Sequence, residues 1–279
     1  MPVPAAITRF SFLTLLLTSC GEGLLDVSWG FKMLPQRKLQ CPFGEDAVCI
    51  RRSSSEEKTR VVVTDGVGGF RENHGVSAGP FARELTNSLA HGKSNVRSDL
   101  ACSLQELAVR GLVGAATLAC LDISEFKGNT IMEVTTLGDC EVAVFRPTFF
   151  SGGKLSVSPE KSTKEGVRWL PVFKSGRGIY SSNGAPQQVM ISTKRIVASG
   201  YERELRTSTF KLQQQDCLLL GSDGLFSNLQ ELEILAHVSL AAAAGKGNAA
   251  RLAANLAKAA KKNFYHADDI SAVAGIVAG

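Results

Sequence analysis

The chain has no CxxC pair, no dense Lys/Arg block with interleaved aromatics, no tandem repeat and no apolar run long enough to span a bilayer. Each absence removes a class of function. The seven cysteines (Cys20, Cys41, Cys49, Cys102, Cys120, Cys140 and Cys217) are odd in number and widely scattered, which suggests neither a disulfide framework nor a zinc site. A reducing, intracellular compartment is the expectation, and no cysteine is read as opening a CxxxxxR phosphate loop. Cys41, Cys49, Cys140 and Cys217 are accordingly read as packing residues rather than nucleophiles. A formal charge of +5 is too modest to argue for a nucleic-acid partner. The N-terminal apolar block, Phe10 to Leu17, is too short for a transmembrane segment. With a single Arg9 before it and no acidic residue before Glu22, residues 1–21 are a weak signal peptide, an organelle-targeting segment or an unstructured leader.

What is present suffices for a large core: 279 residues, 44% hydrophobic and 20% charged, with no Pro/Ser linker to divide a domain over residues 22–279. "VSWGFKML" (27–34), "DAVCI" (46–50) and "RVVVT" (60–64) predict three strands, read as an opening meander. In residues 78–92 the spacing of Phe81, Leu85 and Leu89 before Gly92 predicts a helix, and 98–111 a second amphipathic helix. Residues 114–124, 130–139 and 140–146 read as three consecutive antiparallel strands. Residues 147 to about 180 change character: Gly, Ser and Pro with Lys154, Lys161, Lys164, Arg168, Lys174 and Arg177 read as a long excursion, either a solvated loop or a basic flap that attracts acidic substrates. A strand at 216–224, helices at about 228–242 and 248–264, and a last strand ending near Val277 complete the chain.

Acidic residues recur at comparable places: Glu45 and Asp46 in "GEDA", Asp65 in "VVVTDGVGG", Asp223 in "LLLGSDG", and Asp268 and Asp269 in "DDIS". A single Asp-Gly is either a hairpin turn or a bend that brings a carboxylate and backbone to a metal or a phosphate. Four such clusters at one sheet edge would repel severely without cations, and Mg²⁺ or Mn²⁺ take oxygen ligands of this type.

"GEDA", "DGVGGF", "FAREL", "GAATLACLD", "LGDCEVAVFR", "SDGLFSN" and "DDIS", in that order, resemble the metal-dependent serine/threonine protein phosphatases of the PP2C type (PPM family). The valine of "DGVGG" and the "NGAPQQV" stretch at 183–189 resemble the Ptc7-like subgroup. The resemblance implies an α/β (α+β) fold, a four-layer α-β-β-α sandwich of two antiparallel sheets flanked by helices. It implies hydrolysis of phosphoserine and phosphothreonine in proteins by a water activated between two divalent metals, Mn²⁺ or Mg²⁺, in a monomer. Asp65 would bridge the metals. Glu45 and the Gly66 carbonyl complete one ligand set, Asp223 and Asp268 hold the other metal, and Asp46 orders a metal-bound water. Alternation along a strand would keep Glu45 and Asp46 from both ligating. Gly68 and Gly69 would let the next turn pass close to the site. The subgroup's members imply a mitochondrial location, with the cytoplasm as the alternative.

Departures from the family pattern accompany the resemblance. Val67 stands where many members carry a histidine that protonates the leaving alcohol; His74, in the same loop, is a substitute acid or a solvated side chain. Cys41 replaces an arginine that contacts phosphate, a role Arg37 or Lys38 could take. Asp139 of "GDC" is a third-metal ligand or a turn residue, and Ser227 replaces an aspartate. A pseudophosphatase that only binds a partner is the alternative function.

Overall fold

The computed structural model describes residues 25–36, 43–53, 58–151, 154–156, 167–178, 188–192, 195–196, 201–243, 248–263 and 265–278. The expected leader, Cys41, Arg37, Lys38 and residues 183–187 of "NGAPQQV" lie outside them.

Thirteen strands form two antiparallel sheets among the described residues. One contains β1 (Val27–Leu34), β13 (Ile270–Val277), β12 (Cys217–Gly221), β6 (Glu141–Ser151) and β7 (Lys154–Ser156) in that order, with β8 (Val167–Lys174) also paired to β6. The other runs β10 (Arg195–Ile196), β9 (Val189–Ser192), β4 (Gly114–Phe126), β3 (Lys58–Gly66) and β2 (Ala47–Ser53). To it β5 (Asn129–Leu137) adds along β4 and β11 (Arg206–Lys211) along β5.

Alternation within apolar runs explains the layering. Val61 and Val63 face the layer between the sheets, together with Ala119, Leu121, Leu218, Leu220 and Val273. Val62, Leu118 and Cys120 point the other way, against the helices α2 (Gly79–Ala90) and α3 (Val96–Val109) through Phe81, Leu85, Leu100 and Leu104. In the first sheet Cys217, Leu219, Ala272 and Ala274 turn outward onto α6 (Glu231–Ala243) and α7 (Ala249–Asn263), where Leu252 and Leu256 meet them. Both faces of each central strand are thus covered, which is why these strands read as continuous hydrophobic runs rather than as alternating ones. The expected four-layer sandwich is the observed one.

Several local expectations change. The opening is not a meander, because β1 joins the far sheet by pairing with β13 while β2 and β3 form a hairpin in the other. Likewise β4 and β5 pair, but β6 crosses to the opposite sheet and pairs with β12. The basic excursion carries regular structure, since β6 runs on to Ser151 and β8 pairs back along it. Three short helices were not expected: α1 (Gly69–His74), α4 (Tyr201–Glu204) and α5 (Asp223–Phe226). The spacing CxxxxxR does occur at Cys140 and Arg146. It forms no phosphate loop, because the residues between lie in β6 and Arg146 is bound by both oxygens of Asp216.

Candidate metal centre

Strand ends of both sheets meet at one edge. Asp65 and Gly66 close β3, paired with Thr117 and Ala116 of β4, and the chain passes into α1 rather than folding back. Asp223 starts α5 immediately after β12. Neither Asp-Gly pair is a hairpin turn, which overturns the simplest sequence reading. Asp139 lies in the crossover from β5 to β6, and Asp268 and Asp269 just precede β13. Glu45 and Asp46 precede β2 and are not strand residues, so strand alternation does not separate them; both are buried.

The carboxylates do not share one task. Asp269 is 2% exposed and accepts the backbone N–H of Gln36 on one oxygen and that of Glu45 on the other. Gly224 packs so tightly on the Asp269 carbonyl that a Cβ there would collide with it. Glu45 is locked on one oxygen, Oε1, which accepts from Ser77 Oγ at 2.7 Å and Ala78 N at 3.1 Å, while its Oε2 is buried with no partner. Gly66 donates its N–H to the Glu45 carbonyl at 3.2 Å, and a Cβ on Gly66 would stand 2.6 Å from that oxygen. Gly69, by contrast, faces open space, so the expected close passage is not made there.

Asp46 carries the strongest sign of an unmet ligand need: it is 2% exposed and both carboxylate oxygens lack a hydrogen-bond partner. Burial pushes its pKa far up, as does the Asp269 charge, with Ser271 and Ser222 nearby opposing in part. Asp65 is likewise pushed far up, first by burial and then by Asp46, Asp223, Asp268 and Asp139. Burial followed by the Asp223 charge raises Asp139 to about 6 and Asp268 to about 6. Asp139 Oδ1 and Asp223 Oδ1 are buried without partners. Asp46, Asp65, Asp139, Asp223 and Asp268 thus gather within reach of one another's charge, with buried oxygens of Asp46, Asp139 and Asp223 that no protein donor satisfies, and hard divalent cations fit such a set of oxygens.

Sequence reasoning did not find His266. Its Nε2 lies 3.2 Å from Asp223 Oδ2 and 3.5 Å from Asp268 Oδ2. The only sequence signal was its position two residues before Asp268. Arg177, read as one of six basic residues of the excursion, stands on the rim beside Ser227 Oγ at 3.1 Å and Glu141 at 3.6 Å, close enough to Asp139 to lower that residue's pKa. Arg71 lies 4.0 Å from Glu45. Val67 packs with Phe70, Ala78 and Ala115, and His74 stacks on the Phe70 ring with centroids 4.3 Å apart. Cys140 and Cys217 are buried and Cys49 half-buried; burial pushes Cys140 up and Cys217 up to about 12, so neither is a ready thiolate.

The two-sheet architecture has counterparts among known proteins. "Protein phosphatase PTC7 homolog fig" of Drosophila ananassae is 31% identical over 211 residues, which is 72% of this chain and 56% of that protein. The chain is similar to the Ptc7-like proteins of the PP2C-type (PPM) family. "Protein phosphatase 2C homolog 7, mitochondrial" of Saccharomyces cerevisiae is 25% identical over 215 residues, 68% of this chain and 55% of that one. The chain therefore spans little more than half the length of these curated relatives. The crystal structure of the photosystem II phosphatase PBCP superposes with a TM-score of 0.65 at 18% identity, covering 90% of this chain and 99% of that one. The catalytic domain of the serine/threonine phosphatase PstP, crystallised with two manganese ions, gives 0.57 at 15% identity over 91% and 99% of the two chains. These likenesses show that the PP2C-type fold is shared. No family model matches the chain.

Proposed function

We propose that this PP2C-type chain is a metal-dependent protein serine/threonine phosphatase acting on phosphorylated proteins. The observation that carries the reading is the buried, unpartnered oxygen set of Glu45, Asp46, Asp139 and Asp223 around Asp65. Asp65 would bridge two cations, Mn²⁺ or Mg²⁺. Glu45 through Oε2 and the Gly66 carbonyl would hold one, and Asp223 and Asp268 the other. Asp139 would serve a third, weaker one. The bound cations would lower the pKa of water and neutralise charge on the phosphoryl group during its transfer to that water.

The chain's own residues do the positioning. Ser77 and Ala78 hold Glu45 Oε1 and so aim the other oxygen, and Asp269 fixes the Glu45 backbone through its N–H. Asp46, whose buried oxygens are unpartnered, would orient the attacking water by accepting its hydrogens. Arg177 and Arg71 flank the acidic group and can take phosphoryl oxygens in fork geometry. Hydrolysis leaves inorganic phosphate and the free Ser or Thr hydroxyl. Substrate enters from the side of Asp268 and His266, whose side chains are 37% and 51% exposed.

A binding-only pseudophosphatase would be expected to lack part of the carboxylate set, and here Glu45, Asp65, Asp223 and Asp268 are all present. A mitochondrial address is proposed from the yeast relative's name. Imaging of tagged full-length chain against one lacking residues 1–21 tests it. No helix among the described residues is long and apolar enough to cross a membrane.

The deciding experiment is hydrolysis of a phosphothreonine peptide with Mn²⁺, with EDTA, and by Asp65→Ala and Asp223→Ala. Activity is expected to vanish in chelator and to fall by more than about 100-fold in either variant. Activity that persists in EDTA, or wild-type rates in either variant, would sink the proposal.

A further inference from the structure

At the Asp223–Asp268 corner a ring nitrogen lies among the carboxylate oxygens. The three atoms Asp223 Oδ2, Asp268 Oδ2 and His266 Nε2 sit in one group, each pair within 4.8 Å. Oxygen and nitrogen donors bind Mn²⁺-like or Zn²⁺-like ions at roughly 2.0 to 2.2 Å, so neighbouring donors on one ion stand about 3 to 3.5 Å apart. The distances from His266 Nε2 to the two carboxylates, 3.2 and 3.5 Å, are of that size.

An imidazole hydrogen-bonded to a carboxylate would show a similar distance, so other observations must separate the two readings. Asp223 Oδ1 is buried and unpartnered, and His266 does nothing to satisfy it. Asp46, 2% exposed and close enough to Asp268 to feel its charge, leaves both oxygens without partners. The His266 backbone is also fixed: its N–H donates to Asn228 Oδ1 at 2.7 Å, and its carbonyl accepts from Asn228 Nδ2 at 2.8 Å. The same Nδ2 donates to the Gly224 carbonyl at 2.8 Å, next to Asp223. One amide side chain, 1% exposed, therefore sets the loop that carries the imidazole and the turn that carries the carboxylate in register. The ring itself is half exposed and packs no core, so such support is not explained by folding.

We propose that His266 is a nitrogen ligand to the cation held by Asp223 and Asp268, making this corner a mixed N/O site that favours Mn²⁺, Co²⁺ or Zn²⁺ over Mg²⁺. Imidazole suits the later divalent ions, whereas Mg²⁺ takes oxygen donors and keeps its waters. The inference rests on the metal-dependent reading above and assigns it one further ligand.

The test uses full-length, metal-free protein and the metals alone. Mn²⁺ binding is followed by electron paramagnetic resonance with electron spin echo modulation, and Co²⁺, Zn²⁺ and Mg²⁺ binding by calorimetry, for wild type, His266→Ala and His266→Asn. Wild type should show ¹⁴N modulation from a coordinated imidazole, lost in both variants. Co²⁺ and Zn²⁺ affinity should fall about 10- to 100-fold, while Mg²⁺ affinity changes by no more than roughly threefold. If Mn²⁺ binds without ¹⁴N modulation and the variants keep wild-type affinities, His266 is only a hydrogen-bond partner of Asp223 and the proposal is overturned. If the wild type binds no divalent ion, the metal-dependent reading falls with it. Circular dichroism of both variants guards against a folding defect, and the half-exposed position makes wild-type spectra the expected result.

Discussion

Two adjacent aspartates show how far residue identity alone carries the argument. Asp268 and Asp269 have the same side chain, yet Asp269 binds two backbone N–H groups from the segments around Gln36 and Glu45, while Asp268 faces Asp223 and His266. Asp269→Ala would leave both N–H groups without their acceptor, so urea unfolding should show a loss of about 2 to 4 kcal/mol, at about 1 to 3 kcal/mol for each buried orphan and with partial relaxation. Asp268→Asn should leave the urea unfolding free energy within about 0.5 kcal/mol of wild type or raise it, while Mn²⁺ affinity drops at least about tenfold. The reverse pattern would exchange their roles. The motif "DDIS" placed both residues at the edge, but which one turned inward depended on where Gln36 and Glu45 arrive, more than 200 positions away in sequence.

At the scale of elements, the helix pair α2–α3 is joined to its sheet by a buried guanidinium. Arg60 of β3 is 3% exposed, binds both oxygens of Asp122 on β4 at 2.6 and 2.8 Å, reaches Asp99 of α3 at 2.5 Å and donates to the Leu89 carbonyl of α2 at 3.0 Å. Arg60→Met is expected to cost about 3 to 5 kcal/mol by urea denaturation, since it strands Asp99 without its cation; the nearby Lys58 still pairs with Asp122 at 2.8 Å. A cost under about 1 kcal/mol would mean that apolar packing alone holds the helices. The longer helices were legible because alanine and leucine repeat at helical spacing with Gly or Asn near their ends. The short helices α1 and α5 were not. They are single turns that begin at Gly69 and Asp223, where local sequence resembles a hairpin; the continued pairing of β3 with β4 up to Gly66 excludes one before α1, and that of β12 with β13 and β6 up to Gly221 excludes one before α5.

For the molecule as a whole, bringing the acidic edge together costs stability that cations return. Asp46 and Asp65 are pushed up from an ordinary value of 3.8, and Asp139 and Asp268 to about 6, by burial and mutual charge. A group with a raised folded pKa contributes stability that is fully present below its unfolded pKa and lost as pH rises through the folded value. The melting temperature of the metal-free protein should therefore fall between pH 5 and pH 7. Saturating Mn²⁺ at pH 7 should restore it, by about 2.7 kcal/mol at a hundredfold excess over Kd, or roughly 5 to 10 °C for a chain of this size. Asp139→Asn should shrink the pH-dependent fall. A metal-free protein that becomes more stable from pH 5 to pH 7 would contradict the repulsion on which the metal reading stands. Calorimetry with EDTA and with Mn²⁺ makes the comparison.

By itself the sequence determined which residues could be buried and which could bind a hard cation. Unbroken apolar runs such as Val61–Val63 and Leu218–Leu220 demanded cover on both faces, and Glu45, Asp65, Asp223 and Asp268 were recognisable where such runs begin and end. Tertiary structure decided which sheet β1 and β6 join, which aspartate holds backbone, and that His266 and Arg177 reach the site. The physical reason is that periodicity records the faces of an element but not its partners. Those partners are chosen by pairings such as β1 with β13, whose residues lie about 240 positions apart and whose register no local pattern encodes.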